Sequence, residues 1–328
     1  AERSMLRDRS CLSLLACLVL ALACSTPEER FAKHVERAQS HLEANRTDDA
    51  LIELQSALKL QPEDADVNQQ LGELLRERGT LQAAAYHFGE AFRIDPQRLD
   101  AGLAQAELLI GTAPRRAEQL LAQAKAAHPD DPRVARSESR LAIELRDTER
   151  ALTAAQRGTE LAPQDFASWS QLGLAYVARA REERRAKTPD DATFEAGLTA
   201  FRKADELAGG HVGARLEIAR LFGLWDGHRD DTVRAYHSAM DLSREKGGDS
   251  GVAFAAMRLA RYAARIGDTP LRVEALREIV AVVPDRVQAW EDLARAVRLT
   301  EGPEAAQAVY QELLEKQPES ALAHAAYT

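Results

Sequence analysis

The residues of this chain with chemistry to offer are three cysteines, eight histidines, paired carboxylates and a series of spaced arginines. Cys11, Cys17 and Cys24 all lie in the first 24 residues, so nothing downstream can form a disulfide or a thiolate metal site. No histidine has a second one at metal-ligand helix spacing with a glutamate nearby, and there is no Gly-rich phosphate loop, C-x-x-C pair or G-x-S-x-G elbow. Carboxylate pairs such as Asp230-Asp231 read as helix N-terminal caps. The pattern therefore predicts no enzyme, no metal and no cofactor.

What remains is recognition chemistry. Arg140, Arg220, Arg261 and Arg295 recur at one position of a repeating unit, and Arg133, Arg136 and Arg298 join the same face by i, i+3, i+7 spacing. Guanidinium groups pair carboxylates bidentately, so such a ladder suits a protein partner with an acidic segment or a terminal carboxylate. A second reading has these arginines neutralising neighbours such as Glu138, Glu217 and Glu291. The first three units carry Gln39, Glu73 and Glu107 at the same position, and the fifth carries Leu174. The face is thus expected to be acidic early in the chain and basic later. A formal charge of −9 argues against general nucleic-acid binding.

The repeating unit that must position these side chains is clearest over Ala65–Arg98. Leu71 and Gly72 precede Leu75, then come Ala84, Phe88 and Ala91, and Pro96 closes the unit. Small residues sit where two helices approach, large apolar ones fill the space between them, and the proline forces a stop. Prolines at 62, 96, 129 and 163 step by 34, 33 and 34 residues. The fifth unit adds Trp169, Leu172, Gly173 and Tyr176 in register. This spacing resembles that of the tetratricopeptide repeat (TPR) family. The resemblance implies an all-α, right-handed α-solenoid of about eight helix hairpins that stack because no single hairpin can bury its own apolar faces.

Repeats are expected near 31–64, 65–98, 99–131, 132–165, 166–211, 212–252, 253–286 and 287–320, with the start of a ninth at 321–328. The fifth carries an insertion of about 12 residues around Arg179–Asp191, whose Arg181-Glu182-Glu183-Arg184-Arg185 run reads as a solvated helical extension or a handle for a partner. His34 and His41 stand in the aromatic slots of the first repeat, a packing role. The Ala-rich, uncharged stretch Ala321–Thr328 opens a repeat without finishing it, so the reading frame is expected to continue past Thr328 or a partner to cover this end. The chaperone-binding TPR constellation is missing, with Val35, Gln69 and Leu103 at its key position.

Ahead of the repeats, Arg7 and Arg9 precede the apolar run Cys11–Ala23 and then Cys24, counted from Met5 as the start. This resembles a bacterial export signal, and Ala21-Leu22-Ala23-Cys24 resembles a lipobox, with Ala21 where leucine is usual. An ordinary signal peptide cut near Ala23 is the alternative. The apolar run is shorter than the ~20 residues that span a bilayer. The resemblance implies a signal peptide over 1–23, a lipidated Cys24 with a tether over 24–30, and a solenoid over 31–328. Ser25 after the cysteine, rather than Asp, implies an outer-membrane address facing the periplasm. With Thr26-Pro27-Glu28-Glu29-Arg30 and immediate repeats, the layout resembles the N-terminal part of the TPR lipoproteins of PEP-CTERM/exosortase systems. That implies a membrane-anchored scaffold in envelope assembly, in exopolysaccharide or protein sorting. Pilotin lipoproteins of type IV pili share the layout, and a regulator of a peptidoglycan enzyme is a further alternative.

Overall fold

The computed structural model describes residues 26–320 and His324, so Cys24, the export segment and most of the ninth-repeat stretch lie outside the described residues. Within them are sixteen helices and no strand. They run in pairs: α1 (Pro27–Glu43) with α2 (Thr47–Leu60), α3 (Ala65–Glu77) with α4 (Leu81–Ile94), and α5 (Leu99–Leu109) with α6 (Pro114–Ala127). Next come α7 (Pro132–Glu144) with α8 (Thr148–Leu161), α9 (Phe166–Ala186) with α10 (Asp191–Leu207), and α11 (Val212–Phe222) with α12 (Arg229–Glu245). The last pairs are α13 (Asp249–Ile266) with α14 (Thr269–Val282) and α15 (Val287–Thr300) with α16 (Pro303–Lys316). The described residues divide into two compact units, one up to Ser137 and one from Glu138 onward, each built of such hairpins.

Local sequence sets where each helix starts and stops. Thr26 and Glu29 form a reciprocal capping box at the start of α1. The second helix of six hairpins ends on the residue before a proline, at Gln61, Asp95, His128, Ala162, Val283 and Gln317. Each of these residues has φ between −132° and −139° with positive ψ, because the following pyrrolidine ring excludes the helical region. All six helices are 14 residues long. Where the proline is missing, α10 and α12 run on to 17 residues and end in glycines of positive φ, at Gly209-Gly210 and Gly247.

The aromatic slot of the repeat has a polar duty as well. Trp169 and Trp290 each donate their indole N–H to the carbonyl of the proline six residues earlier, at 2.9 and 2.8 Å. Asn68 replaces tryptophan in the second repeat and keeps that bond through its amide, to Pro62 at 3.3 Å. His324 forms the equivalent contact with the carbonyl of Pro318, at 2.8 Å. His34 bonds Glu53 across its hairpin at 2.5 Å.

Packing inside a hairpin turns on one close approach. A Cβ on Gly72 would stand 2.7 Å from the Phe88 ring, and one on Gly173 would stand 2.5 Å from the Phe201 ring. Both phenylalanines are fully buried, so glycine is what lets the ring lie against the opposing backbone. The second unit buries Trp290, Phe194, Phe201, Met240 and Leu259, and the first buries Leu54, Leu71 and Phe88.

The fifth repeat carries the expected helical extension, exposed at Arg181, Glu182, Arg184 and Arg185. Helix α9 does continue to Ala186, where Lys187 ends it in the left-handed region at φ 59°. Glu183, however, is 8 % exposed and accepts hydrogen bonds from Thr193 and Arg179, both at 2.9 Å. Arg184 donates to the Leu224 carbonyl and pairs with Asp226 at 3.1 Å. The extension is therefore docked on α10 and on the loop after α11. It was unreadable as such because the carboxylate that docks it lies within a run of charges.

Candidate anion-binding hollow

The longer α9 has a consequence for charge. It carries Arg181 to the face where α11 presents Arg220 and α13 presents Arg258, Arg261 and Arg265, the last three sharing one face by i, i+3, i+7 spacing. Together with Gly223, Leu224, Tyr236 and Tyr262 these five arginines line a hollow of about 290 Å³ in the second unit.

Each guanidinium is held differently. Glu217 accepts from Arg220 at 2.7 Å and lies 3.4 Å from Arg258, so one carboxylate serves two arginines. Arg265 donates to the Gly223 carbonyl at 2.6 Å and lies over the Tyr262 ring at 5.3 Å. Arg258 lies over the Phe254 ring at 5.7 Å. Arg261 reaches the Met257 sulfur at 3.8 Å. Burial, and then the positive charge of Arg220, push the Arg181 guanidinium below its ordinary value. Burial pushes the Tyr236 phenol up, so it stays a neutral O–H. Five guanidinium groups line the hollow and Glu217 pairs with two of them, so the lining carries a surplus of positive charge although the whole chain is net negative. Chemically, the hollow offers fork-shaped donors to more than one carboxylate at once.

Arg261 also opens onto a second hollow, of about 220 Å³, with Met257, Ala260, Leu276, Arg272 and Asp292 in its lining. The face thus passes from a strongly basic step to a mixed apolar one.

Of the arginines singled out in the sequence, Arg220 and Arg261 meet in the basic hollow. Arg295 and Arg298 are exposed on α15, with Arg295 3.7 Å from Asp292, and neither lines that hollow. Arg133 belongs to the first unit, where it pairs with Asp131 at 2.9 Å and with Asp100. Its hydrogen bonds to Asp131 raise the guanidinium above its ordinary value and hold that carboxyl below the usual range. Arg136 lies in the first unit and Arg140 in the second, both engaged with other groups and outside the hollow. Arg258 and Arg265 stand outside the recurring repeat position that marks Arg220 and Arg261. Their signal was present in the spacing 258, 261, 265 along α13.

Residues 35–98 and 257–321 match the family model of the tetratricopeptide repeat. A comparison with curated proteins finds no match. Among solved structures, the chain is similar to a human IFIT1 dimer with m7Gppp-AAAA, at 14% identity over 89% of this chain and 72% of that one, with a TM-score of 0.50. A tetratricopeptide repeat protein from Parabacteroides merdae has 14% identity over 91% and 98%, with a TM-score of 0.49. MamA from Desulfovibrio magneticus has 20% identity over 55% of this chain and 96% of its own, with a TM-score of 0.45. At such identities the likeness bears on fold alone. The chain carries tetratricopeptide repeats, folded as an all-α solenoid of stacked helix hairpins.

Proposed function

We propose that this chain is a lipid-anchored scaffold of the bacterial cell envelope whose second unit holds a carboxylate-rich segment of a protein partner. The observation that carries the recognition half is the lining of one hollow by five guanidinium groups, two of which pair with Glu217. Such an arrangement costs stability through like-charge crowding, and a bound acidic segment would offset that cost. The adjoining step, with Met257, Ala260 and Leu276, would accept an apolar side chain next to the acidic stretch. Partner recognition through helix-hairpin faces is what the repeat architecture supports.

The anchoring half rests on sequence: Ala21-Leu22-Ala23-Cys24 after an apolar run, with Ser25 directing the anchor to the outer membrane facing the periplasm. Envelope assembly in an exosortase-type exopolysaccharide or protein-sorting system follows from the resemblance of the first hundred residues. Two experiments test this reading. Labelled palmitate should enter the wild-type chain in cells and not a Cys24→Ala variant; no label in the wild type contradicts the anchor. Reversing the charges of Arg220, Arg261 and Arg295 together should abolish recovery of native partners from envelope extracts. Unchanged recovery with an intact fold contradicts the recognition.

A further inference from the structure

The first unit contains a hollow of another character. It lies among α4, α5 and α6, has a volume of about 720 Å³, and is lined by Gln105, Gln119 and Gln123 together with Tyr86, Glu90 and Arg93. At its floor Gln105 is 5 % exposed, yet its side-chain amide has no hydrogen-bond partner among the described residues. The amide is not sealed off by the protein: its polar atoms open into the hollow, where a ligand can reach them. Gly89 makes room for it: a Cβ there would stand 2.2 Å from the Gln105 amide nitrogen.

The charge around this amide is largely spent within the protein. Arg93 donates to Glu90 through Nε at 3.1 Å and Nη2 at 3.0 Å, and it also lies 3.5 Å from Glu63. Arg116, exposed, lines the same hollow, and its N–H groups can donate to hydroxyls as the amides do. Three primary amides each present a donor beside an acceptor, and Tyr86, 62 % exposed, presents an open aromatic face.

We infer that this hollow is a binding site for a polyhydroxylated ligand, an oligosaccharide of a few residues. Vicinal hydroxyls both donate and accept, which matches side-by-side amide groups, and the C–H face of a sugar ring packs on an exposed tyrosine. The volume falls in the range of about 300–1,000 Å³ typical of small-ligand sites. An extended peptide is the weaker fit, because it would need a row of pockets for alternate side chains. The site is independent of the arginine hollow, which lies in the other unit.

The test is titration of the purified chain with maltotriose, cellotriose and triacetylchitotriose, followed by saturation-transfer NMR and calorimetry. A Gly-Ser hexapeptide serves as the peptide probe. The variants are Gly89→Ala, which displaces the Gln105 amide, and Tyr86→Ala, which removes an exposed ring. Gly89→Ala is expected to melt no lower than wild type, since alanine favours a helix and the displaced group is the end of a flexible side chain. At least one trisaccharide is expected to bind wild type, and each variant to lose about tenfold or more in affinity. If Gly89→Ala melts lower, Tyr86→Ala carries the test alone. Binding by no trisaccharide, equal binding to wild type and Tyr86→Ala, or binding of the hexapeptide alone would overturn the assignment.

Discussion

Replacing Arg181 with glutamine separates what its charge does for the fold from what it does for a ligand. Among the described residues no carboxylate is bonded to Arg181, and burial and Arg220 push its guanidinium below its ordinary value despite the attraction of Glu217. A base that holds its proton less tightly when folded lowers stability at every pH below its folded pKa, neutral pH included. Repulsion between partly exposed charges of this kind is worth about 0.3–1 kcal/mol after solvent screening. Arg181→Gln should therefore raise the melting temperature by about 1–3 °C, read by circular dichroism. The same change removes one charge-assisted hydrogen bond to a ligand carboxylate, at about 1–2 kcal/mol. A labelled acidic peptide followed by fluorescence anisotropy should then bind about 5–30-fold more weakly. A lower melting temperature, or unchanged affinity, would refute the reasoning that this side chain is held against its own stability for a ligand.

Other expectations concern the fold that carries the hollow. Gly173→Ala should destabilise by about 0.5–2 kcal/mol in denaturant melts, because overpacking against Phe201 outweighs the gain in helix propensity. Trp290→Ala, at a fully buried residue that also bonds Pro284, should cost about 3–5 kcal/mol. The Asp131 carboxyl is held below its usual range by hydrogen bonds from Arg133, so the pair stabilises at pH above the unfolded carboxylate value and loses that contribution as the pH falls through the lowered one. The melting-temperature gap between wild type and Arg133→Ala should accordingly be constant above pH ~5 and close in stronger acid; at partial exposure it corresponds to about 0.5–1 kcal/mol.

Much of the fold was legible because a few residues act through sterics alone. Each helix-ending proline imposes an extended residue before it, and Gly72 and Gly173 admit phenylalanine rings that any other residue would block. Such constraints are local and survive in a single sequence. The hollow was half legible. Arg220 and Arg261 stood out by recurrence, whereas Arg181 reaches the site only because Glu183, buried on Thr193, docks the α9 extension. That is a tertiary contact of a charged residue, and no periodicity announces it. Gln105 was invisible for the same reason, since an unpartnered amide can be recognised only when its surroundings are known.

The central claim, that the second unit binds clustered carboxylates through its arginine hollow, is met most directly by titrating hexaglutamate and hexaglutamine peptides into the intact chain. The comparison is with an Arg220→Glu, Arg261→Glu double variant of unchanged helicity. Hexaglutamate should bind wild type, weaken with added salt, and fail to bind the double variant, while hexaglutamine binds neither. Equal affinity of wild type and double variant for hexaglutamate, or equal binding of the two peptides by wild type, would contradict it.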